Sequence, residues 1–271
     1  MKKKDYFDAI KEFISVIKRA SYFSNVYSIY LGGSVARGDF SPGRSDIDLY
    51  LVLKRKNKKT EEAIKKEAQR ISRARLKPLL RLFKDPLSIE ITTLGRIRKK
   101  ESFIGLGFEY QNFLREGELL TGNDIKNIIP KPSEEEVRAS AERVMYSAQE
   151  MFKNLTRIPP KVLKKRGLWL LPRINIFYPF PRMTAQLFML VFRTLCVMLS
   201  GWGYSVSSKK DAVKKFSDIC SEKKQLHDQL EKMLDLWEIW GKRNLSRAEF
   251  LKLFEFTEEI MPELFSIWQE N

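Results

Sequence analysis

The sequence predicts an α+β protein in two parts: a small mixed sheet flanked by helices over residues 1–122, and an all-helical bundle over residues 123–271. The first part mixes alternating apolar runs, typical of strands, with amphipathic helical patterns. The second part shows helical periodicity only. A chain of 271 residues is long enough for two hydrophobic cores, so we expect two domains with a boundary near residue 123.

The elements of the first part have distinct local patterns. Residues 4–20 and 60–75 carry apolar side chains at helical spacing and are predicted as amphipathic helices. Val26 to Leu31 is predicted as a short strand that ends at Gly32–Gly33. Asp46 to Leu53 is predicted as the second strand, with Asp46, Asp48 and Tyr50 on one side and Ile47, Leu49 and Leu51 on the other.

A third strand and a helix complete the first part. Pro86 precedes the alternating run from Leu87 to Leu94, and a helix is expected to follow up to Leu114. The segment REGELLTG, residues 115–122, closes the region.

Sequence patterns typical of helix N-termini predict where several helices of the second part begin. Ser133 with Glu136, and Ser246 with Glu249, have the spacing of capping boxes, and Ser208 is a candidate N-cap. Further helices are predicted near 183–200 and 222–241, whereas five prolines make residues 156–181 irregular.

One apolar stretch, residues 183–204, has the length of a membrane span. Arg193 lies in its middle, at a cost of about 2.5–3.5 kcal/mol for insertion. We therefore expect the central helix of a bundle and no membrane association.

The cysteine content and the N-terminus favour a cytoplasmic protein. Cys196 and Cys220 cannot form a disulfide framework or a cysteine-rich metal site. The first residues, MKKKDYFDAIKEF, lack the apolar core of a signal peptide.

Positive charge is concentrated in two stretches of a chain whose net charge is +16. Residues 54–84 carry 13 basic and 3 acidic side chains, and residues 157–182 carry seven basic and no acidic ones. Such stretches attract phosphates and anionic surfaces, although solvated helix faces have similar compositions. The charge is consistent with an anionic macromolecular partner, RNA or protein.

The stretch around residues 32–48 carries the predicted chemistry. On a strand, Asp46 and Asp48 would direct two carboxylates to one side, about 7 Å apart along the chain. Their repulsion would be relieved by a divalent cation, and Mg²⁺ favours one or two carboxylates together with phosphate oxygens. Glu90, on the corresponding side of the third strand, is the candidate for a third acidic residue.

The glycines before this pair are suited to phosphates. Gly33 and Ser34 follow a strand and offer close backbone approach, N–H groups and a hydroxyl. The two arginines of the loop are candidates for neutralising phosphate charge, and its last serine for fixing the loop. The candidate nucleotide-binding residues are therefore Gly32, Gly33, Ser34, Arg37, Arg44 and Ser45.

The string GGSVARGDFSPGRSDIDL resembles the signature of the DNA polymerase β-type nucleotidyltransferase superfamily: Gly-Ser, a spacer, then Asp-x-Asp. REGELLTG resembles the end of the catalytic core in small members. SIEITTL, with Glu90, and residues 192–216 are similar to the aminoglycoside adenylyltransferase branch, which has a helical C-terminal domain.

This resemblance implies a nucleotidyltransferase fold and a role for each residue. Gly33 and Ser34 would bind the triphosphate of ATP or another NTP, Asp46 and Asp48 would bind Mg²⁺, and Glu90 would bind a metal or act as general base. An acceptor hydroxyl would attack the α-phosphorus in line and release pyrophosphate, with one or two metals. No His or Cys nucleophile is needed, in agreement with the single histidine, His227.

Three hypotheses for the function follow. The first is transfer of a nucleoside monophosphate, AMP from ATP, to a hydroxyl of a macromolecule, with RNA such as tRNA ahead of protein because of the basic stretches. The alternative is adenylylation of an aminoglycoside-like small molecule. The third is a catalytically silent nucleotide- or RNA-binding module, which the presence of Asp46, Asp48 and Glu90 disfavours.

Overall fold

A four-stranded mixed sheet lies at the centre of the N-terminal half of the computed structural model, which describes residues 1–102, 113–156, 168–171 and 176–270. The strands are β1 (Val26–Gly32), β2 (Ile47–Leu53), β3 (Leu87–Thr93) and β4 (Glu118–Gly122). Their order is β3-β2-β1-β4; β1 runs antiparallel to β2 and β4, and β2 runs parallel to β3. The predicted small mixed sheet is confirmed. Strand β4 was not predicted as a strand.

Two long helices pack together beside the sheet, as predicted. Helix α1 (Lys3–Arg19) and helix α3 (Lys58–Arg75) contact each other, and α3 contacts β3. Glu12 of α1 binds both Arg70 and Arg75 of α3 at 3.2 and 2.8 Å, and the neighbouring Arg75 guanidinium lowers the pKa of Glu12.

Two short helices follow strands. Helix α2 (Gly33–Arg37) begins directly after β1, and helix α4 (Leu94–Arg98) begins directly after β3. The helix predicted from here up to Leu114 is interrupted, because α4 ends at Arg98 and Lys100 has a φ of +55°, which an α-helix does not allow. Residues 103–112 lie outside the described residues.

The register of β1 and β2 separates the two faces of the sheet. Tyr30 lies opposite Tyr50 on one face, and Ile29 lies opposite Leu51 on the other. The face that carries the tyrosines is part of a hydrophobic cluster that includes residues beyond 122. The buried members of this cluster are Tyr30, Val52, Ile97, Phe113, Ile125 and Ile129.

The C-terminal half is mostly helical. Its helices are α5 (Glu134–Thr156), α6 (Phe180–Gly201), α7 (Lys209–Ile219), α8 (Lys224–Lys242) and α9 (Arg247–Glu270). Helices α6 and α8 both contact α7 and α9, so a helical bundle forms as predicted. The predicted irregular stretch differs in one respect: β5 (Leu168–Leu171) and β6 (Ile176–Pro179) pair as an antiparallel ribbon.

Side-chain caps define the helix starts that the sequence indicated. The Ser133 and Ser246 hydroxyls accept bonds from the Glu136 and Glu249 N–H groups, and each glutamate accepts a bond from the N–H of its serine. The Ser208 hydroxyl accepts a bond from the Asp211 N–H at 3.1 Å. All three predicted caps are confirmed because they depend only on residues three apart.

Among the described residues, one helical segment, Pro181–Gly201, is long and apolar enough to cross a membrane. Of its most apolar window, 72% is buried within the protein. Arg193 and Met189 remain exposed. Such burial is typical of the core helix of a bundle.

The chain separates into two compact units, Met1–Val137 and Arg138–Asn271. The first unit thus extends fifteen residues past the boundary predicted at residue 122. The physical reason lies in Ile125 and Ile129, which are 0% and 6% exposed and pack in the cluster on the tyrosine face of the sheet.

Asp124 joins this extension to the sheet and allows a test of its contribution to stability. Its Oδ1 accepts bonds from the Tyr30 hydroxyl at 2.7 Å and the Lys126 N–H at 2.8 Å, and these bonds lower the pKa of Asp124. We expect Asp124→Ala to lower the free energy of unfolding by about 1 kcal/mol at neutral pH.

The effect should depend on pH in a defined direction. A carboxylate with a depressed pKa in the folded state stabilises the protein above its unfolded pKa of about 3.9 and loses that contribution as the pH falls through the folded pKa. Urea titrations at pH 7 and at pH 3 or below would measure the free energy of unfolding of wild type and Asp124→Ala. The difference between the two proteins should be smaller at the lower pH. A constant difference would contradict an ionic contribution from Asp124.

Candidate active site

The two aspartates of the Asp-x-Asp pair lie at the start of β2. Ile47 and Leu49 are 0% and 1% exposed, whereas Asp46, Asp48 and Tyr50 are half-buried. The strand itself begins at Ile47, so Asp46 belongs to the preceding loop. The alternation read from the sequence is therefore present, with the first aspartate at the loop–strand junction.

The structure brings Asp48 against the Gly33 backbone. Gly32 is the cross-strand partner of Asp48, and Gly33 follows with a φ of +64°. A Cβ at Gly33 would lie 2.2 Å from Oδ2 of Asp48, which is closer than any real contact. Only glycine satisfies both the conformation and the space, because it has no Cβ. The two halves of the motif, separated by a loop in sequence, are thus in direct contact.

Gly32 has a separate steric reason to be glycine. A Cβ there would lie 2.3 Å from Cε2 of the Tyr50 ring. That ring also packs against Phe113, with centroids 5.7 Å apart. The position of Gly32 is therefore explained by packing of the sheet, and its predicted contact with nucleotide stays a prediction.

Glu90 lies on the neighbouring strand. It is exposed and pairs in parallel register with Tyr50, which places it on the Asp48 face of the sheet. Among the described residues, however, no three His, Cys, Asp or Glu side chains are grouped closely enough to hold a metal ion. The role of Glu90 as a third metal ligand stays a prediction that this geometry does not favour.

The two loop arginines have different surroundings. Arg37 donates to Oε2 of Glu116 at 2.5 Å and to Oδ1 of Asp39 at 3.2 Å. Glu116, which also binds Arg115, is 7% exposed and was not selected from the sequence. Arg44 is half-buried, and burial lowers the pKa of its guanidinium. Arg37 therefore already has two carboxylate partners, whereas its contact with phosphate stays a prediction.

Ser34 and Ser45 lie at opposite ends of the loop. Ser34 is in the first turn of α2, and its carbonyl accepts bonds from the Gly38 and Asp39 N–H groups. Ser45 is 6% exposed, and its hydroxyl accepts a bond from the Ser41 N–H at 3.1 Å. That bond agrees with a loop-fixing role for Ser45.

The donor set is compatible with Mg²⁺. Two carboxylates two residues apart, next to a backbone that approaches closely, match the preference of Mg²⁺ for one or two carboxylates plus phosphate oxygens. Asp48 lies against Gly33, so an ion held there would be next to any phosphate bound by the Gly33–Ser34 backbone. Asp46 and Asp48 would hold the ion, and its chemistry would be charge neutralisation on the triphosphate.

Comparisons with known proteins concern the domain family and the fold. Residues 10–102 match the family model of the nucleotidyltransferase domain. The chain is also similar in fold to spectinomycin adenyltransferase AAD(9) from Enterococcus faecialis, whose crystal structure contains ATP and spectinomycin. The TM-score is 0.52 at 13% identity, over 94% of this chain and 98% of that one. A search of curated proteins found no significant match.

The family match covers the sheet strands β1 to β3, the Gly33–Asp48 contact and the Asp-x-Asp pair. The chain therefore contains a nucleotidyltransferase domain, and its classification as a nucleotidyltransferase enzyme with a helical second part is supported. The resemblance inferred from the sequence motif is confirmed.

The contact between Gly33 and Asp48 predicts the effect of adding one methyl group. We expect Gly33→Ala to displace the Asp48 carboxylate and to weaken binding of Mg²⁺-ATP at least about tenfold, because metal sites lose 10- to 100-fold when ligand support is lost. Isothermal titration calorimetry with Mg²⁺ and a non-hydrolysable ATP analogue would measure the change.

Gly38→Ala is the matched control. Gly38 also has a positive φ, +75°, but a Cβ there would meet nothing within 4 Å. This variant should lose about 1 kcal/mol of stability from backbone strain and retain its affinity for the nucleotide. Equal losses of affinity in both variants would show that strain, and not the displaced carboxylate, is responsible.

Proposed function

We propose that the protein transfers AMP from ATP to a hydroxyl group of a small, aminoglycoside-like molecule. The observation that carries the proposal is the Asp48 carboxylate held against the Gly33 backbone within a nucleotidyltransferase domain. The similarity to an adenyltransferase that binds ATP and spectinomycin extends over both units and supports a small acceptor. The preference for a macromolecular acceptor, drawn from the basic stretches, is not supported by these comparisons.

Each residue would have a defined role in this reaction. Asp46 and Asp48 would hold Mg²⁺, while Gly33, Ser34 and Arg44 would contact the triphosphate. Glu90 is exposed and belongs to no three-carboxylate group among the described residues, so it is better suited to be the general base than a metal ligand. It would accept the proton of the acceptor hydroxyl as that oxygen bonds to the α-phosphorus and the bond to pyrophosphate breaks.

Local acidity makes a cationic acceptor compatible with a basic protein. Residues 228–271 carry ten acidic and five basic side chains, and most of the acidic ones are exposed on α8 and α9. Burial together with the charges of Glu255 and Glu259 raises the pKa of Glu258, as expected where carboxylates are crowded. Aminoglycosides are polycations, and a net charge of +16 that is this uneven along the chain does not exclude them.

We propose that the enzyme uses ATP and Mg²⁺ and works in a reducing compartment. Cys220 is a free, buried thiol, and burial raises its pKa. Free buried thiols are typical of cytoplasmic proteins. We therefore propose a cytoplasmic enzyme.

A labelling assay tests the proposed reaction. The protein would be incubated with Mg²⁺, each α-labelled NTP in turn, and either spectinomycin, a panel of aminoglycosides, total RNA or cell protein. We expect label from ATP on the small molecules. Asp48→Asn should lower kcat at least about 100-fold, since a metal ion contributes several kcal/mol and each 1.4 kcal/mol is tenfold.

Asp85→Asn, an exposed aspartate in the loop before β3, is the matched control and should retain full activity. Label on RNA alone would replace the small-molecule proposal by the macromolecular one. Absence of label with every acceptor, in wild type and Asp48→Asn alike, would instead indicate a silent module.

A second candidate, an RNA acceptor, is favoured by one specific surface. All 13 basic side chains between residues 54 and 84 are exposed. Lys59, Lys66 and Arg73 recur every seven residues along the exposed side of α3, about 10 Å apart. Among the described residues, these three have no carboxylate partner within ion-pair distance. Such a row matches the requirements of a phosphodiester backbone.

Charge reversal of this row tests the RNA candidate. If RNA binds there, the triple variant Lys59→Glu, Lys66→Glu and Arg73→Glu should reduce the slope of log affinity against log salt by about 2 to 3. The control reverses three exposed lysines of the second unit, Lys214, Lys232 and Lys252. Fluorescence anisotropy with labelled RNA would measure both, and equal effects would eliminate α3 as the specific surface.

A further inference from the structure

The loop between α2 and β2 delivers Asp46 to the site, and it contains no strand or helix of its own. Its centre is a turn, in which the Arg44 N–H donates to the Ser41 carbonyl at 2.9 Å. Pro42 and Gly43 occupy the two central positions, and Gly43 has a φ of +82°. Proline followed by a residue of positive φ is typical of a type II turn. The turn sets the local path of the loop but does not attach it to the rest of the domain.

Tyr6 of α1 makes that attachment. Its side chain is 0% exposed, and its hydroxyl donates to the Ser45 carbonyl at 2.7 Å and accepts from the Gly43 N–H at 2.9 Å. One hydroxyl therefore binds the backbone on both sides of Arg44. The bond to the Ser45 carbonyl ends on the residue directly before Asp46.

Ring contacts hold the Tyr6 side chain in place. Its ring lies 4.8 Å from the Phe40 ring, which is 7% exposed and belongs to the same loop. Phe7, the next residue of α1, also contacts the Phe40 ring, at 6.2 Å. The loop is thus anchored to α1 by apolar contacts at Phe40 and by hydrogen bonds at Gly43 and Ser45.

The protonation state of Tyr6 suits its role as a donor. Burial, with a further contribution from the charge of Asp46, raises the pKa of Tyr6 to about 12. The hydroxyl therefore keeps its proton at neutral pH and remains a donor to the Ser45 carbonyl. A buried phenol with both of its hydrogen-bonding functions satisfied is a rigid support.

We infer that Tyr6 is a positioning residue that holds Asp46 in the geometry required for Mg²⁺-ATP. This inference rests on the proposed nucleotidyl transfer for its catalytic consequence, but not for its structural one. Tyr6 precedes residue 10, where the match to the nucleotidyltransferase domain begins, so the support comes from a part of α1 outside that match.

Tyr6→Phe tests the inference because it removes the hydroxyl and keeps the ring contact with Phe40. Hydrogen exchange of peptides covering residues 41–46 should become about tenfold faster, the effect of losing one net hydrogen bond. Mn²⁺ binding in the presence of ATP, followed by electron paramagnetic resonance, should weaken about tenfold, as for other residues that support metal ligands. In transfer assays the Mg²⁺ concentration for half-maximal rate should rise similarly, while the acceptor KM stays constant.

Tyr30→Phe is a matched control in the same unit. The Tyr30 hydroxyl also donates one bond, to Asp124, and accepts one, from the Ile125 N–H, both at 2.7 Å. Its ring is likewise 0% exposed. The variant should lose comparable thermal stability without changing Mn²⁺ affinity or exchange in residues 41–46.

Two outcomes would overturn the inference: unchanged Mn²⁺ affinity in Tyr6→Phe, or an equal loss of affinity in Tyr30→Phe. Failure of the proposed function is recognised separately. If the wild type transfers no nucleotide to any acceptor, hydrogen exchange and Mn²⁺ binding still decide whether Tyr6 positions Asp46.

Discussion

The contact between the Asp48 carboxylate and the Gly33 backbone is the constraint on which the rest of the site depends. Antiparallel pairing of β1 with β2 places Gly32 opposite Asp48, so the end of one strand faces the start of the other. A one-residue slip in this register would turn Asp48 to the opposite face of the sheet, toward the positions of Ile47 and Leu49. The buried residues of β2 therefore determine the register, and the register determines where the carboxylate lies.

Support for the site comes from elements outside the motif. Helix α1 anchors the loop before Asp46 through Tyr6, and Glu116, just before β4, holds Arg37. The Tyr6 bond is buried and must be satisfied internally, so it fixes the geometry of the loop, whereas the Arg37–Glu116 pair is partly open to solvent. The motif supplies the reacting groups, while surrounding side chains control their positions.

The choice of acceptor shows that the net charge of a protein does not by itself identify its partner. A charge of +16 favours polyanions through long-range attraction, but that attraction describes the whole molecule and not its binding site. The chain is similar in fold to a spectinomycin adenyltransferase over 94% of its length, which shows the fold and leaves the acceptor to experiment. Exposed lysines on α3 and crowded glutamates on α9 coexist in one chain, so the composition alone could not decide between the two classes of acceptor.

Features that depend on neighbours a few residues apart were predictable from the sequence. These are the alternation of β2, the capping boxes at Ser133 and Ser246, and the Gly-Ser and Asp-x-Asp motif. The sequence did not indicate β4, the β5–β6 ribbon, or the extension of the first unit to Val137, because these depend on partners far away in the chain. No sequence pattern singled out Tyr6, and its role emerges only when its hydroxyl meets Gly43 and Ser45, 37 and 39 residues later. The sequence therefore shows which chemical groups are present. Which of them come into contact follows from the tertiary structure, because hydrogen bonds and steric contacts join residues that are close in space but far apart in the chain.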